Sequence, residues 1–269
     1  MSDEPSDTAP GAVRGGLPLA EWGRSAPEPQ TAPRRHRRRT DWRQGGRAVS
    51  RWDTSVLAAV GIGGGAGVVV AGLVARIPAP WAPAVSLLVL WAGMLAAVAF
   101  AFTRARPAGL LALRPTDLVW GVGVGLALRA AQGFASGANS APFPSSNVKT
   151  GEGPAELLGD ALAAGLAGPF VEEFFFRAVL LVALFQLLRR NLGYVAAALT
   201  ATLVSAGAFI CLHAAFASLS LADGLQLFFV GAACAALVVL TGRIWGAVLA
   251  HVVYNVTFVL LGLIGVALA

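Results

Sequence analysis

Charged residues are scarce in this chain of 269 residues: they make up 13% of it, against 57% hydrophobic residues and a mean hydropathy of +0.70. A soluble globular domain carries roughly 25% charged residues, so this composition excludes a soluble protein and predicts a polytopic membrane protein. Cysteine is scarce too. Cys211 and Cys234 both lie in apolar segments, where a free thiol behaves as a small hydrophobe, so we expect no disulfide.

Lysine is almost absent, since Lys149 is the only lysine among 20 basic residues, and ten arginines precede Thr54. Residues 1–53 are rich in Pro, Gly, Ser and Arg and lack apolar periodicity, which predicts a disordered cytoplasmic tail. The arginine cluster at 34–39 raises the question of nucleic-acid binding. Contact with anionic lipid is the simpler interpretation, and we expect no nucleic-acid partner. The excess of Arg and Ala over Lys favours a bacterial genome rich in G and C.

Long apolar runs dominate the rest of the chain. A bilayer crossing needs about 20 apolar residues, and seven segments qualify. They are residues 54–74, 81–103, 118–134, 156–188, 194–216, 222–241 and 245–268. The predicted fold class is therefore all-α, a polytopic transmembrane helical bundle of about seven spans. We divide it into N-terminal transmembrane helices at 54–135 and a transmembrane core at 156–269, which holds most of the polar residues.

Arginine collects in alternate loops between these segments. The loops with Arg104, Arg106 and Arg114, with Arg189 and Arg190, and with Arg243 all fall on one side. The positive-inside rule then predicts a multi-pass plasma-membrane protein whose N-terminus is cytoplasmic and whose C-terminus is external.

Three charged residues lie inside the apolar run at 161–188: Glu172, Glu173 and Arg177. Each costs roughly 2.5 to 3.5 kcal/mol at a bilayer centre, which marks them as functional candidates. Successive helical residues are turned by about 100°, so the two carboxylates are expected to point apart. Glu173 and Arg177 are spaced i, i+4 and favour an ion pair. Glu172 is left without a local partner, and a desolvated carboxylate suits a general base.

Two histidines also occur in apolar segments. His251 and Asn255 are spaced i, i+4, so they share one helix face and can donate to one oxygen of a tetrahedral intermediate. His213 can hold water together with Glu172. Each polar residue alone has a structural explanation, as an ion pair or a hydrogen bond between helices. Packing does not readily explain four such groups in about 85 residues.

Three motifs carry a family resemblance. Glu172-Glu173-xxx-Arg177, Phe209-xxx-His213 and His251-xxx-Asn255 resemble the EExxxR, FxxxH and HxxxN motifs of the CPBP intramembrane proteases. This family is also called the type II CAAX prenyl protease or Abi family. The resemblance implies that Glu172 activates water for attack on a peptide bond and that His213 assists. It also implies that His251 and Asn255 stabilise the oxyanion, while Glu173 and Arg177 support the helix, and we expect Phe209 to pack.

The motifs of other intramembrane proteases are missing, namely HExxH, GxGD and GxSG. No cofactor is expected, but a divalent metal such as zinc, held by Glu172, His213 and His251, is the alternative. A metal would leave Asn255 without a catalytic role. The expected partners are the lipid bilayer and a peptide or membrane-protein substrate. Two other functions stay open: a non-catalytic immunity or scaffold protein on the same fold, and a proton-coupled transporter.

The depths of the candidate residues do not agree. At about 1.5 Å per residue from the inner helix ends, Glu172 lies roughly 25 Å deep, His213 roughly 28 Å and His251 roughly 12 Å. A shared site therefore requires tilt, a break near 205–207 or a half-inserted start to the fourth span.

Overall fold

The computed structural model describes residues 40–45, 49–140, 143–144 and 154–268, without the side chains of 154–157. All regular elements within these ranges are helices, which confirms the predicted all-α class. The elements are α1 (Thr54–Ala75), α2 (Ala82–Arg104), the short α3 (Ala108–Leu111), α4 (Pro115–Ala135), α5 (154–192), α6 (194–214), α7 (Leu221–Thr241) and α8 (Trp245–Leu268). Apart from the short α3, their limits lie close to those of the seven predicted apolar segments.

By length and composition, six helices of the described ranges can cross a membrane, and the longest runs from Leu158 to Ala214. This longest helix is interrupted at Gly193, whose φ of 77° and ψ of 177° are not helical. Only glycine adopts such a conformation without strain. The interruption separates α5 from α6.

Contacts across Gly193 show that α5 and α6 form an antiparallel hairpin. The rings of Phe185 and Tyr194 lie 5.2 Å apart, and the Ser205 hydroxyl donates to the carbonyl oxygen of Phe176 over 3.0 Å. The pair that lies farther from Gly193 is also farther apart in sequence, as in any hairpin. Counted as two arms, the long helix gives the described ranges seven long apolar helices, the number of apolar segments predicted.

One end of the bundle, which we call the arginine end, gathers the basic loops. Asp53 pairs with Arg104 at 3.0 Å, and the buried Asp117 pairs with Arg243 at 2.7 Å. Arg189 donates to the backbone oxygen of Arg43 over 3.1 Å. Loops that are distant in sequence therefore lie at the same end, as the alternation of basic loops predicts.

The described part of the predicted tail is ordered rather than disordered. Trp42 is fully buried, packs edge-on against Phe185, and donates from its indole nitrogen to the Gly242 carbonyl over 3.0 Å. Trp52 is 3% exposed and donates to the Ala101 carbonyl over 2.9 Å. The two buried indoles supply the apolar contact area that holds this segment in place, although the overall composition of residues 1–53 does not indicate it. Residues 1–39 and 46–48 of the predicted tail lie outside the described ranges.

The predicted depths of Glu172, His213 and His251 disagree because they were counted as if every helix started at the same membrane plane. The ring of Trp245, the first residue of α8, lies 6.1 Å from that of Phe174, roughly five helical turns before Gly193. The α5–α6 hairpin therefore extends well beyond the start of α8. His251 reaches the level of the glutamates although it follows Trp245 by only six positions.

Candidate active site

The helix that carries the two glutamates departs from regular α geometry on both sides of them. Gly168–Glu173 is α-helical, but Ala163–Ala167 before it and Phe174–Leu181 after it are π-helical. Widened π turns are rare and occur often at functional sites, because they shift the direction of side chains and backbone groups. Both glutamates thus lie on a short α-helical stretch between two irregular ones.

Glu173 joins two basic groups in the core. Its Oε1 lies 2.9 Å from Nη1 of Arg177 and 2.9 Å from Nδ1 of His251. The side chains of Glu173 and Arg177 are fully buried, and that of His251 is 3% exposed. The i, i+4 pair expected from the sequence is present. The contact with His251 is an addition that only the packing of α8 against α5 creates.

Glu172 lies on the other side of the same imidazole. Its Oε2 is 3.8 Å from Nε2 of His251, and its side chain is 16% exposed. The sequence predicts that the two carboxylates point apart. The structure brings both of them to one imidazole, with Nδ1 of His251 toward Glu173 and Nε2 toward Glu172. Glu172 keeps access to open space, whereas Glu173 has none.

His213 is held by its own helix. Its Nδ1 lies 2.9 Å from the carbonyl oxygen of Phe209, one turn earlier in α6. A carbonyl only accepts, so Nδ1 carries the proton and Nε2 of the neutral ring keeps a lone pair. The Phe209 ring lies 4.5 Å from the His213 ring and 5.6 Å from the His251 ring, and the Arg177 guanidinium lies 4.5 Å from its centre. Phe209 therefore packs against three of the candidate residues.

Asn255 also contacts an irregular part of α5. Its Nδ2 donates to the carbonyl oxygen of Ala164, within the first π-helical stretch, over 2.9 Å. Nδ2 carries two hydrogens, so one remains for a further acceptor. Asn255 lies one turn after His251 on α8, as its spacing predicts.

Two cavities bring these side chains together. One of 410 Å³ is lined by Glu172, His213 and Asn255, and a second of 380 Å³ is lined by Glu172 and His213. His251 is 2% exposed and lies behind Glu172. The structure thus unites all four candidate catalytic residues, although they come from α5, α6 and α8.

The second cavity also shows where the site opens. Its walls include Ala75 at the end of α1, Pro83 at the start of α2, and Ala217 just after α6. These positions are at the end of the bundle opposite the arginine end.

Sequence reasoning missed two cavity residues, Asp160 and Trp91, which line the 410 Å³ cavity. Asp160 had a usable signal, because it is a further acid inside the predicted span at 156–188. Trp91 had no such signal, because in the sequence of an apolar helix a tryptophan that lines a cavity looks the same as one that faces lipid or packs in the core.

The zinc alternative needs Glu172, His213 and His251 as common ligands. Within the described part of the chain, no three His, Cys, Asp or Glu side chains are arranged to hold a metal ion. Glu173 and the Phe209 carbonyl engage Nδ1 of His251 and His213, so Nε2 of both rings stays available as a ligand. We route no chemical step through a metal, and the effect of a chelator tests the alternative.

The fold and site define a polytopic helical membrane protein with a polar cavity inside its bundle. Residues 154–257 match the family model described as type II CAAX prenyl endopeptidase Rce1-like. The matched segment contains all three motifs, so the resemblance to the CPBP or CAAX protease family is confirmed for this domain. No curated protein and no solved structure matches the chain.

Proposed function

We propose that this protein is an intramembrane endopeptidase that hydrolyses a peptide bond with water activated by Glu172. The observation that carries the proposal is the common cavity of Glu172, His213 and Asn255, with His251 directly behind Glu172. The domain that carries these residues matches a peptidase family. Glu172 is partly exposed and Glu173 is buried, which suits Glu172 as the reacting carboxylate and Glu173 as the supporting one.

In the first step, Glu172 accepts a proton from water as the water oxygen bonds to the carbonyl carbon of the substrate. The lone pair on Nε2 of His213 accepts a hydrogen bond from the second O–H group of the water and orients the molecule, and this hydrogen stays on the oxygen. The carbonyl π electrons move to oxygen, which becomes the oxyanion of a tetrahedral intermediate.

Asn255 and His251 stabilise that oxyanion. Asn255 uses the Nδ2 hydrogen that Ala164 does not engage. Glu173 accepts a hydrogen bond from Nδ1–H of His251. Nε2 can therefore donate a hydrogen bond to the oxyanion only in the imidazolium form, in which both ring nitrogens carry a hydrogen. Before the reaction, Glu172 and Glu173 together balance the charges of that imidazolium and of Arg177. Once Glu172 is protonated, the oxyanion takes its place as the second negative charge.

In the second step, the intermediate collapses and the C–N bond breaks. The proton held by Glu172 passes to the departing nitrogen, giving a new carboxyl terminus and a new amine. Glu172 returns to its carboxylate form. Atoms and charge balance without a metal or a cofactor.

The substrate we propose is a peptide or membrane protein that reaches the cavity from the bilayer. Under the positive-inside rule the arginine end is cytoplasmic, so the cavity opens toward the exterior of a plasma-membrane protein. The matched family is named for prenylated CAAX substrates. We extend to this chain only the cleavage of a membrane-associated peptide.

The test uses purified full-length protein in phosphatidylcholine nanodiscs. It is incubated with a farnesylated CAAX-type peptide, its unprenylated form and a randomised decapeptide library, and new termini are read by mass spectrometry. Wild type is compared with Glu172→Gln. Asp160→Asn is the matched control, because Asp160 lines the same cavity but plays no part in the mechanism.

The proposal expects cleavage by wild type and by Asp160→Asn, and a loss of about 10³-fold or more for Glu172→Gln. Cleavage should persist in the presence of a chelator. Loss of activity with chelator and recovery with zinc would establish the metal alternative instead. Equal cleavage by wild type and Glu172→Gln, or no cleavage of any substrate by wild type, overturns the proposal and favours a binding or scaffold function.

A further inference from the structure

A third cavity lies beside the candidate active site and takes no part in the mechanism above. It measures 210 Å³, and its lining includes Arg129 on α4 and Tyr254 on α8. Ala164 and Asn255 line both this cavity and the 410 Å³ cavity of Glu172, and the hydrogen bond between them forms the wall. A ligand of the third cavity is therefore separate from the peptide that Glu172 attacks.

Arg129 is the charged residue of this third cavity, and it lies within the apolar helix α4. Among the described side chains, no carboxylate lies within ion-pair distance of it. By contrast, the buried Arg177 pairs with Glu173, and Arg243 pairs with the buried Asp117. A cation within a bilayer is costly unless a negative charge balances it, so this position favours a bound anion.

The guanidinium of Arg129 is held in place with two donors to spare. It lies 4.0 Å from the ring centre of Tyr254 and 4.9 Å from that of Phe258. Nε and Nη2 donate to the Tyr254 carbonyl, and Nη1 donates to the side-chain oxygen of Gln132. Each terminal nitrogen carries two hydrogens, so one on each remains. These two N–H groups can bind the two non-bridging oxygens of a phosphodiester.

Neighbouring side chains fix this arrangement. The Tyr254 hydroxyl donates to the Gln132 oxygen over 3.1 Å and accepts from the amide of Gln226. The network therefore joins α4, α7 and α8 around the guanidinium of Arg129. A preformed site binds its ligand at lower entropic cost than a flexible arginine.

The position of Arg129 along α4 brings it within reach of lipid headgroups. α4 begins at the arginine end, where Asp117 pairs with Arg243, so its last residue, Ala135, lies at the opposite end. Arg129 precedes Ala135 by six positions, which puts its Cα about 9 Å below that helix end. Its contact with Gln132 directs the guanidinium toward the same end. Arginine side chains near helix ends reach the interface in this way, and local thinning of the bilayer helps them.

Apolar side chains next to the cavity distinguish a lipid from a soluble anion. Leu126 is 48% exposed and lies one turn before Arg129 on α4, deeper in the bundle. Phe258 is 38% exposed and lines the cavity itself. The site thus combines a cation near headgroup level with exposed apolar surface beside and below it. A phospholipid has the same order of parts, a phosphate above acyl chains, whereas a soluble anion gains nothing from the apolar surface.

We infer that the Arg129 cavity binds the phosphate of an anionic phospholipid, such as phosphatidylglycerol, in the leaflet opposite the arginine end. Phosphatidylcholine carries the same phosphate, but its quaternary ammonium cancels the charge that Arg129 requires. The site therefore selects headgroups with a net negative charge. This inference goes beyond the proposed function and does not depend on it, because lipid binding is measured without turnover.

The test is native mass spectrometry of the purified full-length protein in detergent, titrated with phosphatidylglycerol, phosphatidylcholine or inorganic phosphate. We expect wild type to bind phosphatidylglycerol about tenfold or more tightly than phosphatidylcholine, as a charge-assisted bidentate contact implies. Arg129→Gln should bind the two lipids equally weakly. Arg76→Gln is the control and should keep the preference. Arg76 is exposed just after α1, at the same end of the bundle, and is not among the residues that line the third cavity.

Equal affinities of wild type for the two lipids overturn the inference, and this measurement needs no variant. A preference that survives in Arg129→Gln also overturns it. The same holds for a preference that Arg76→Gln abolishes, because the lipid then responds to surface charge in general. Displacement of phosphatidylglycerol by an equimolar amount of inorganic phosphate overturns it too, because the ligand is then a soluble anion.

Arg129→Lys separates the charge from the geometry of the guanidinium. It keeps the cation but replaces the planar pair of donors by a single ammonium. We expect it to bind phosphatidylglycerol several-fold more weakly than wild type and still more tightly than phosphatidylcholine. Loss of the preference in a folded Arg129→Lys protein would overturn the assignment of a charge-selective headgroup site.

Discussion

Oε1 of Glu173 lies 2.9 Å from Nδ1 of His251, a contact that joins α5 to α8 inside the bundle. The same oxygen pairs with Arg177, so one buried carboxylate serves two basic groups. Glu173 therefore links the stability of the core to the orientation of a candidate catalytic ring.

The change Glu173→Gln removes the negative charge between these groups. Arg177 then stays fully buried without a counter-ion, and a broken buried pair costs about 3 to 5 kcal/mol. We expect a clear fall in the thermal unfolding midpoint, measured by size-exclusion chromatography after heating. We also expect lower turnover at temperatures where the variant is folded, because His251 loses the acceptor that orients it.

Asp117→Asn is the comparison for this prediction. It breaks another buried pair, Asp117 with Arg243, at the arginine end and away from the cavity. It should lower the unfolding midpoint but leave kcat of the folded protein unchanged. A Glu173→Gln protein as stable as wild type would contradict the role of Glu173 as a shared counter-ion.

The ring of Phe209 packs against Arg177, His213 and His251. Phe209→Leu keeps the backbone carbonyl that holds Nδ1 of His213 but removes the aromatic face. We expect a loss of about 2 kcal/mol from the cation–π contact and a lower kcat, because both histidine rings lose a lateral support. Unfolding midpoints and steady-state kinetics measure the two effects.

Phe185→Leu provides the matched control. Phe185 is also fully buried in the hairpin, and its ring packs edge-on against Trp42 and Tyr194, far from the cavity. Its loss should destabilise the protein without a change in kcat. If both variants reduce kcat of folded protein equally, the kinetic effect of Phe209 is a general packing effect and the prediction fails.

Hydropathy was sufficient to predict the helices, because a bilayer crossing requires a long apolar run wherever it occurs. The last helix, Trp245–Leu268, has its predicted limits. The motif spacing likewise predicted the Glu173–Arg177 pair, since positions four apart on a helix are neighbours.

The relative heights of the helices could not be predicted in this way. Trp42 is buried because the Gly242 carbonyl and Phe185 are in place to receive it, and these contacts span 200 and 143 positions in sequence. The π-helical stretches around the glutamates have no hydropathy signal either. Both features depend on packing between elements, which is why His251 was expected too far from Glu172.

Gly231 on α7 makes room for the buried Arg177. A Cβ at this position would lie 3.1 Å from Nη2 of Arg177 and 3.2 Å from the Cα of Ala206. Gly231→Val should therefore push α7 away from α6 or displace the guanidinium, at a cost of about 1 to 3 kcal/mol. We expect a lower unfolding midpoint together with reduced turnover.

Gly224→Val is the control on the same helix. A Cβ at Gly224 has open space around it, while the helical propensity of the new residue is identical. Its unfolding midpoint should stay near that of wild type. Equal effects of the two substitutions would show that valine disturbs α7 by itself, and Arg177 would then have no part in the result.

The orientation of the bundle decides from which side a substrate reaches the cavity. Ala217 borders the cavity mouth and is exposed, while Arg190 is exposed at the arginine end beside Gly193. Single cysteines can be placed at 217 and 190 after Cys211→Ser and Cys234→Ala remove the native thiols. A membrane-impermeant maleimide then reports which position faces outward.

In intact cells we expect labelling of Ala217→Cys and protection of Arg190→Cys, with both labelled after permeabilisation. The reason is that arginine-rich loops are retained in the cytoplasm, which places the opposite end outside. The control for expression is detection of both proteins with the same C-terminal tag. The reverse pattern would contradict this orientation and place the mouth of the cavity in the cytoplasm, so that Glu172 would act on substrates presented from the cytoplasmic side.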